Sequence, residues 1–200
     1  MEFLAVGYLL KRRFDRASAD PQVGFPAGPP VERIRSASHC IASWAGPQPY
    51  EAGVNRFGGH ATLERAREAA ALEEDPDTIE IVAARILDHY FVEGVAMPLE
   101  PDPADESELE VDEPDDSFES RGFDPVGWAP DLLGFGCSPL SCNGMTWTIP
   151  VNADCLIDEL DRAIETAKRF SVEQPEPGPY AVVEILVERT PQIASAGETP

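Results

Sequence analysis

The residues best equipped for chemistry lie in "GFGCSPLSCNGMTW", residues 134–147, where Cys137 and Cys142 flank a proline and lead directly into Asn143-Gly144. A thiol is nucleophilic only as its thiolate, so it needs a histidine or a helix N-terminus to lower its pKa. On that chemistry Cys142 is the candidate catalytic thiol and Cys137 its resolving partner, while Cys155 falls in the first turn of a helix expected to open at Asn152. The three histidines, His39, His60 and His89, are scattered along the chain.

Metal binding is the second chemistry these residues allow. Structural zinc sites carry two closely spaced cysteine pairs, and Cys137 and Cys142 have no matching second pair. His39 and Cys40 would complete a four-ligand set with them only if their segment lies beside the loop. The plainer expectation is that the cysteines are reduced and packed as small hydrophobes, with no metal and no cofactor. No phosphate-cradling glycine loop, nucleophile elbow or His-Glu-x-x-His motif occurs.

Positioning such a loop requires a frame, and the hydrophobic pattern supplies one. Phe3 to Leu10 reads as a buried strand, too short to cross a bilayer and lacking the charge order of a secretory signal. Ser38 to Trp44 reads as a second strand. Thr62 is a plausible N-cap for a helix that Asp75-Pro76 ends. The run from Thr78 to Leu87 is rich in β-branched residues and favours a strand, with the following residues pairing back as an edge. A strand is expected around Phe123 to Val126, a helix from Asn152 to Phe170, and a last strand from Tyr180 to Arg189. The expected fold is therefore α+β: a two-layer sandwich of a mostly antiparallel sheet with two helices on one face, in ferredoxin-like-type order plus an extra N-terminal strand.

Domain organisation follows from composition. Residues 1–190 form one domain, residues 99–121 an acidic disordered loop within it, and residues 191–200 a flexible tail. From Glu100 to Glu119 there are eleven acids and no base, interleaved with three prolines, so the segment buries too little apolar surface to offset its ordering entropy. The formal net charge of −22 argues against nucleic acid as a partner, because phosphates reward clustered lysine and arginine. No apolar run reaches membrane length, which points to a cytoplasmic protein. The preference for arginine over lysine points to a GC-rich, bacterial coding sequence.

The blocks "CSPLSCNGM", "VNADCL" and "EPGPYAVVE" resemble a set of small bacterial proteins that share them in this order and whose function is unassigned. The resemblance spans roughly Gly122 to Arg189, with weaker echoes in "SHCIASW" and "FGGHATLERAREAA". It implies a recurrent domain and assigns no residue a role.

Two functions of different class follow. The first is a small acidic cytoplasmic interaction protein, not an enzyme, that binds a basic protein partner as an immunity protein, an antitoxin-like inhibitor or an accessory subunit would. Its rigid loop would present Ser138, Ser141, Asn143 and Gly144 beside Trp128 as a recognition surface. The alternative is a thiol-dependent enzyme or redox sensor using Cys137 and Cys142.

Overall fold

The computed structural model describes residues 1–14, 31–39, 53–100, 111–128, 134–142, 145, 148–176 and 178–189. Its frame is an antiparallel sheet built from β1 (Phe3–Arg12), β2 (Ile79–Val92), β3 (Val95–Pro98), β4 (Phe118–Gly127) and β5 (Tyr180–Glu188). Three helices join them: α1 (Leu63–Ala71), α2 (Pro139–Cys142) and α3 (Leu160–Glu173). The strands lie in the order β1-β2-β5-β4, with β3 folded back on the far end of β2. This is the α+β sandwich that the pattern predicts. Each main helix connects strands that are direct antiparallel neighbours, α1 between β1 and β2 and α3 between β4 and β5. A ferredoxin-like sheet would instead separate such strands by a third.

Strand periodicity sorts the side chains onto two faces. On one, Leu87, Phe91, Tyr180 and Val182 pack under Ala163, Ile164, Ala167 and Phe170 of α3. On the same face, Tyr8, Leu10, Ala83 and Leu186 receive Ala66 of α1. Arg85 and Glu184 face each other across β2 and β5 there, with Arg85 Nε and Nη2 donating to Glu184 Oε2 at 2.9 and 2.5 Å. The guanidinium is what allows a carboxylate into a strand otherwise buried on both faces. On the opposite face, Val82, Ala84, Ile86, Val183 and Ile185 are covered by irregular segments that contribute Ala37, Phe57, Trp128, Phe135 and Leu156.

Several boundaries differ from expectation. β1 and β2 run further than the apolar pattern, and β2 continues through Val92 into a hairpin whose two turn residues, Glu93 (φ 50°) and Gly94 (φ 81°), take the left-handed conformation that matches strand twist. Thr62 does cap α1, accepting from Arg65 N at 3.2 Å, but the helix ends at Ala71, before Asp75-Pro76. Ser38 and His39 are not in a strand, and the rest of the expected second strand lies outside the described residues.

The largest correction concerns α3, which begins at Leu160 rather than at Asn152. Asn152 organises a turn of its own: Oδ1 accepts from Asp154 N and Leu156 N at 2.9 and 3.1 Å, and Nδ2 donates to Arg121 O at 2.7 Å. Cys155 takes φ 65° in that turn, and Ile157 then exchanges both backbone hydrogen bonds with Phe123 at the edge of β4. A helical Ile157 would leave that strand edge unpaired. The C-terminus is closed by Gln174 in the left-handed conformation, its N–H donating to Phe170 O.

The expected acidic loop is also shorter than 99–121. Leu99 is buried against the irregular face, and residues 118–121 belong to β4, with Phe118 buried beneath α1. Residues 101–110, like the tail after Pro191, lie outside the described residues.

A bulge at Gly7 lets β1 accept a second neighbour. Tyr8 and His60 exchange N–H···O bonds of 3.0 Å, and a Cβ at Gly7 (φ +100°) would sit 2.4 Å from His60 O. At Gly94 the same addition meets only Val172 Cγ2, at 3.5 Å. Gly94→Ala should therefore lose only the left-handed penalty of about 1–2 kcal/mol, whereas Gly7→Ala must also displace backbone and should cost at least about 3 kcal/mol. Urea unfolding of the two variants side by side checks the difference.

Candidate functional site

The rigid loop expected around Cys137 and Cys142 contains a single helical turn: Ser141 N and Cys142 N both donate to Ser138 O, at 3.1 and 2.8 Å. It docks on β4 through one buried carboxyl group and through the backbone, where Gly127 N donates to Cys137 O at 2.8 Å and Gly136 N to Gly127 O at 2.7 Å. Asp124 is 1% exposed and accepts from Ser36 Oγ at 2.5 Å, Ser138 Oγ at 2.6 Å and Ala37 N at 3.1 Å. Ser36 Oγ in turn accepts from Ser38 N at 3.0 Å. Buried Lys11 on β1 donates from Nζ to Ser38 O at 2.9 Å. The "SASH" stretch at 36–39 and the "CSPLSC" stretch at 137–142 thus meet over β4, held by hydrogen bonds that converge on one buried carboxyl group.

Electrostatics within this node follow from its burial. Desolvation pushes the Asp124 carboxyl above its ordinary value of 3.8, opposed by the hydrogen bonds from Ser138, Ser36 and Ala37 and by the charge of Lys11. His39 is lowered to about 3, first by burial and then by Lys11, against the bond that its Nε2 donates to Phe57 O at 3.1 Å. It is neutral at physiological pH and cannot serve as the imidazolium that a thiolate needs. Cys155 is raised to about 12 by burial, then by Asp124 and Cys142, and its Sγ lies 3.8 Å from Leu140 O.

Each expected site residue has a defined place. Cys142 is half-buried, with its Sγ 3.7 Å from Ser38 Oγ and 3.8 Å from Ser141 Oγ; Cys137 is half-buried as well. Ser138 and Trp128, expected on a presented surface, are buried, the first because its hydroxyl serves Asp124 and the second because its ring stacks on Phe57 at 5.3 Å. Ser141 is half-buried, while Asn143 and Gly144 lie outside the described residues. Of the candidate metal ligands, Cys40 also lies outside them, and His39 turns its Nε2 to the Phe57 carbonyl. Among the described residues no three His, Cys, Asp or Glu side chains are grouped to share a metal ion.

Asp124, Ser36 and Lys11 are the members of this node that sequence reasoning missed. The available signals were an aspartate inside a strand, in "GFDPV", and a lysine ending an apolar run; both are unusual inside a core unless partnered.

Elsewhere the surface around α1 is acidic. Glu64, Glu68, Glu74, Asp75 and Asp77 are exposed there, and so are Asp112, Glu113, Asp115 and Asp116 on the irregular segment leading into β4. The two groups adjoin: Asp112 N donates to Ala61 O at 2.9 Å, and the Tyr8 hydroxyl under α1 is raised by burial first and then by Asp112, Asp115 and Glu113. No helix among the described residues is long and apolar enough to cross a membrane. No family model, curated protein or solved structure matches the chain.

Two outcomes check this description. Because a carboxyl whose folded pKa is raised binds protons more readily in the native state, its contribution to stability is complete below pH 3.8 and declines as pH rises through the folded value. Asp124→Asn should abolish that part of the acid-range pH dependence and, at neutral pH, lose about 2 kcal/mol or more by leaving hydroxyl donors unmatched, as read from denaturant unfolding across pH 3–8. Alkylation of native protein near neutral pH followed by mass spectrometry should leave Cys155 unmodified, with modification appearing only on unfolding.

Proposed function

We propose that this protein is an acidic interaction protein that binds a basic protein partner through the surface formed by α1 and residues 111–116. One observation carries the reading: nine carboxylates are exposed on these adjoining segments, and only two arginines, Arg65 and Arg67, are exposed among them. Arg67 already engages Glu188 at 3.0 Å. Concentrated charge of one sign accelerates encounter with a partner of the other and disfavours like-charged competitors. The segment from Glu100 to Glu110, which adds further acids, enters this surface at Val111.

The chemistry-bearing side chains give this reading their support by the way they are used. Asp124, Ser36, Ser138 and Lys11 spend their hydrogen-bonding capacity on one another and on backbone, inside the core. That is the construction of a scaffold tie. His39 is neutral and committed to Phe57 O, and Cys155 is far from ionisation. Inhibition or accompaniment of the partner, a cytoplasmic location and a bacterial source belong to the same proposal.

The test is affinity capture by the immobilised chain at low and at high salt. A basic protein should be retained at about 50 mM salt and released at about 500 mM, where screening shortens the reach of exposed charges to a few ångströms. The triple variant Glu68→Lys, Glu74→Lys and Asp115→Lys should fail to retain it even at the lower salt. Capture of nothing, or of a protein indifferent to salt and to the variant, would sink the proposal.

A further inference from the structure

An open cleft of about 490 Å³ lies at one end of the sheet, between β2, β4, β5 and the segment around Ile34. Its volume is that of a small-molecule site. Four arginines line it, Arg13, Arg33, Arg35 and Arg121, in a chain that has fifteen basic residues and a net charge of −22.

Two of the four are fixed in place. Arg35, 4% exposed, donates from Nε and Nη2 to Glu80 Oε2 and Oε1 at 3.0 and 2.7 Å, and from Nη1 to Asp154. Burial opposes its charge, but Glu80 and Asp154 outweigh burial and hold its pKa above the ordinary value. Arg121 donates from Nη1 to Glu119 Oε1 at 2.7 Å, while its Nε stands 3.2 Å from Asp154 Oδ2 without hydrogen-bond alignment. A guanidinium carries five N–H donors, so both forks retain donors beyond these contacts.

The charges of the cleft do not cancel. Each carboxylate at the cleft is matched by a guanidinium: Glu80, Glu119 and Asp154 by Arg35, Arg121 and Arg189, whose Nε lies 3.7 Å from Glu119 Oε2, and Glu188 by Arg67 at 3.0 Å. Arg13 and Arg33 are exposed at the mouth, and among the described residues neither has a carboxylate partner. Two positive charges therefore remain uncompensated beside a few partly exposed apolar side chains, Phe14, Ile81 and Val187.

We propose that this cleft binds a small phosphomonoester with an apolar or aromatic portion. Guanidinium forks match phosphate and carboxylate oxygens alike, but a phosphate dianion balances both spare charges where a carboxylate balances one. A polyanion such as nucleic acid is disfavoured by the negative field of the rest of the molecule. The apolar side chains of Phe14, Ile81 and Val187 favour an ester over the free ion. The acidic surface around α1 takes no part, so the failure of either proposal leaves the other standing.

Calorimetric titration of the full chain at low ionic strength with phenyl phosphate, inorganic phosphate and benzoate tests the cleft. Phenyl phosphate should bind saturably and more tightly than the other two. Arg13→Gln with Arg33→Gln should weaken it at least about tenfold, since each lost charge-assisted contact is worth more than a neutral one. Arg65→Gln, on α1, should leave binding unchanged, and both arginines at the mouth are exposed, so circular dichroism should show the double variant folded. Absence of saturable binding, undiminished binding by the double variant, or benzoate or inorganic phosphate binding as tightly as phenyl phosphate would overturn the assignment.

Discussion

The carboxylate of Asp124 is the constraint on which one whole side of the molecule depends. A sheet that is apolar on both faces must have the second covered, and here no long helix covers it. The cover is mostly irregular chain, whose backbone bonds to the sheet fall on its edges, at Tyr8–His60, Phe123–Ile157 and Gly127–Cys137. A buried carboxylate is costly alone and strongly adhesive when donors converge on it. Asp124 receives its donors from Ser36 and Ala37 on one covering segment and from Ser138 on another, so a single desolvated group ties both to β4. Lys11 extends the tie to β1 through Ser38 O, across the width of the sheet.

That tie also explains the fate of the cysteines. Ser138 begins the turn that carries Cys142, and Cys142 rests against Ser38, so the thiol is placed by the same network that buries the aspartate. A negative charge in the core is a poor neighbour for a thiolate, which is one reason Cys155 is held protonated. Chemistry-bearing residue types meet here because their polarity is useful for joining segments in a low-dielectric interior.

Charge is divided unevenly over the rest of the surface. Exposed acids gather around α1 and residues 111–116, while arginines gather in the cleft at the end of the sheet, and the Arg67–Glu188 pair marks where the two regions meet. In a chain of net charge −22 the carboxylates Glu80, Glu119 and Asp154 hold Arg35 and Arg121 in the cleft, while Arg13 and Arg33 stand exposed at its mouth.

Periodicity and turn chemistry were enough to read the α+β class, β1, β2 and β5, the Thr62 cap and the helical stripe of α3 from Ala163 to Phe170, because each depends on neighbours a few residues apart. They misplaced the start of α3: Asn152 has the side chain of a cap, and only the pairing of Ile157 with Phe123 shows that it closes a turn instead. They placed Ser138 and Trp128 on a surface for the same reason, since small polar residues beside an aromatic read alike in a loop and in a core. Composition alone determined the acidity, and the order of periodic segments determined the two-layer frame. Which polar groups are buried, and which arginines share a cleft, was decided by contacts between residues as far apart as 36 and 124 or 35 and 154, whose desolvation and pairing energies do not exist until the sheet has brought them together.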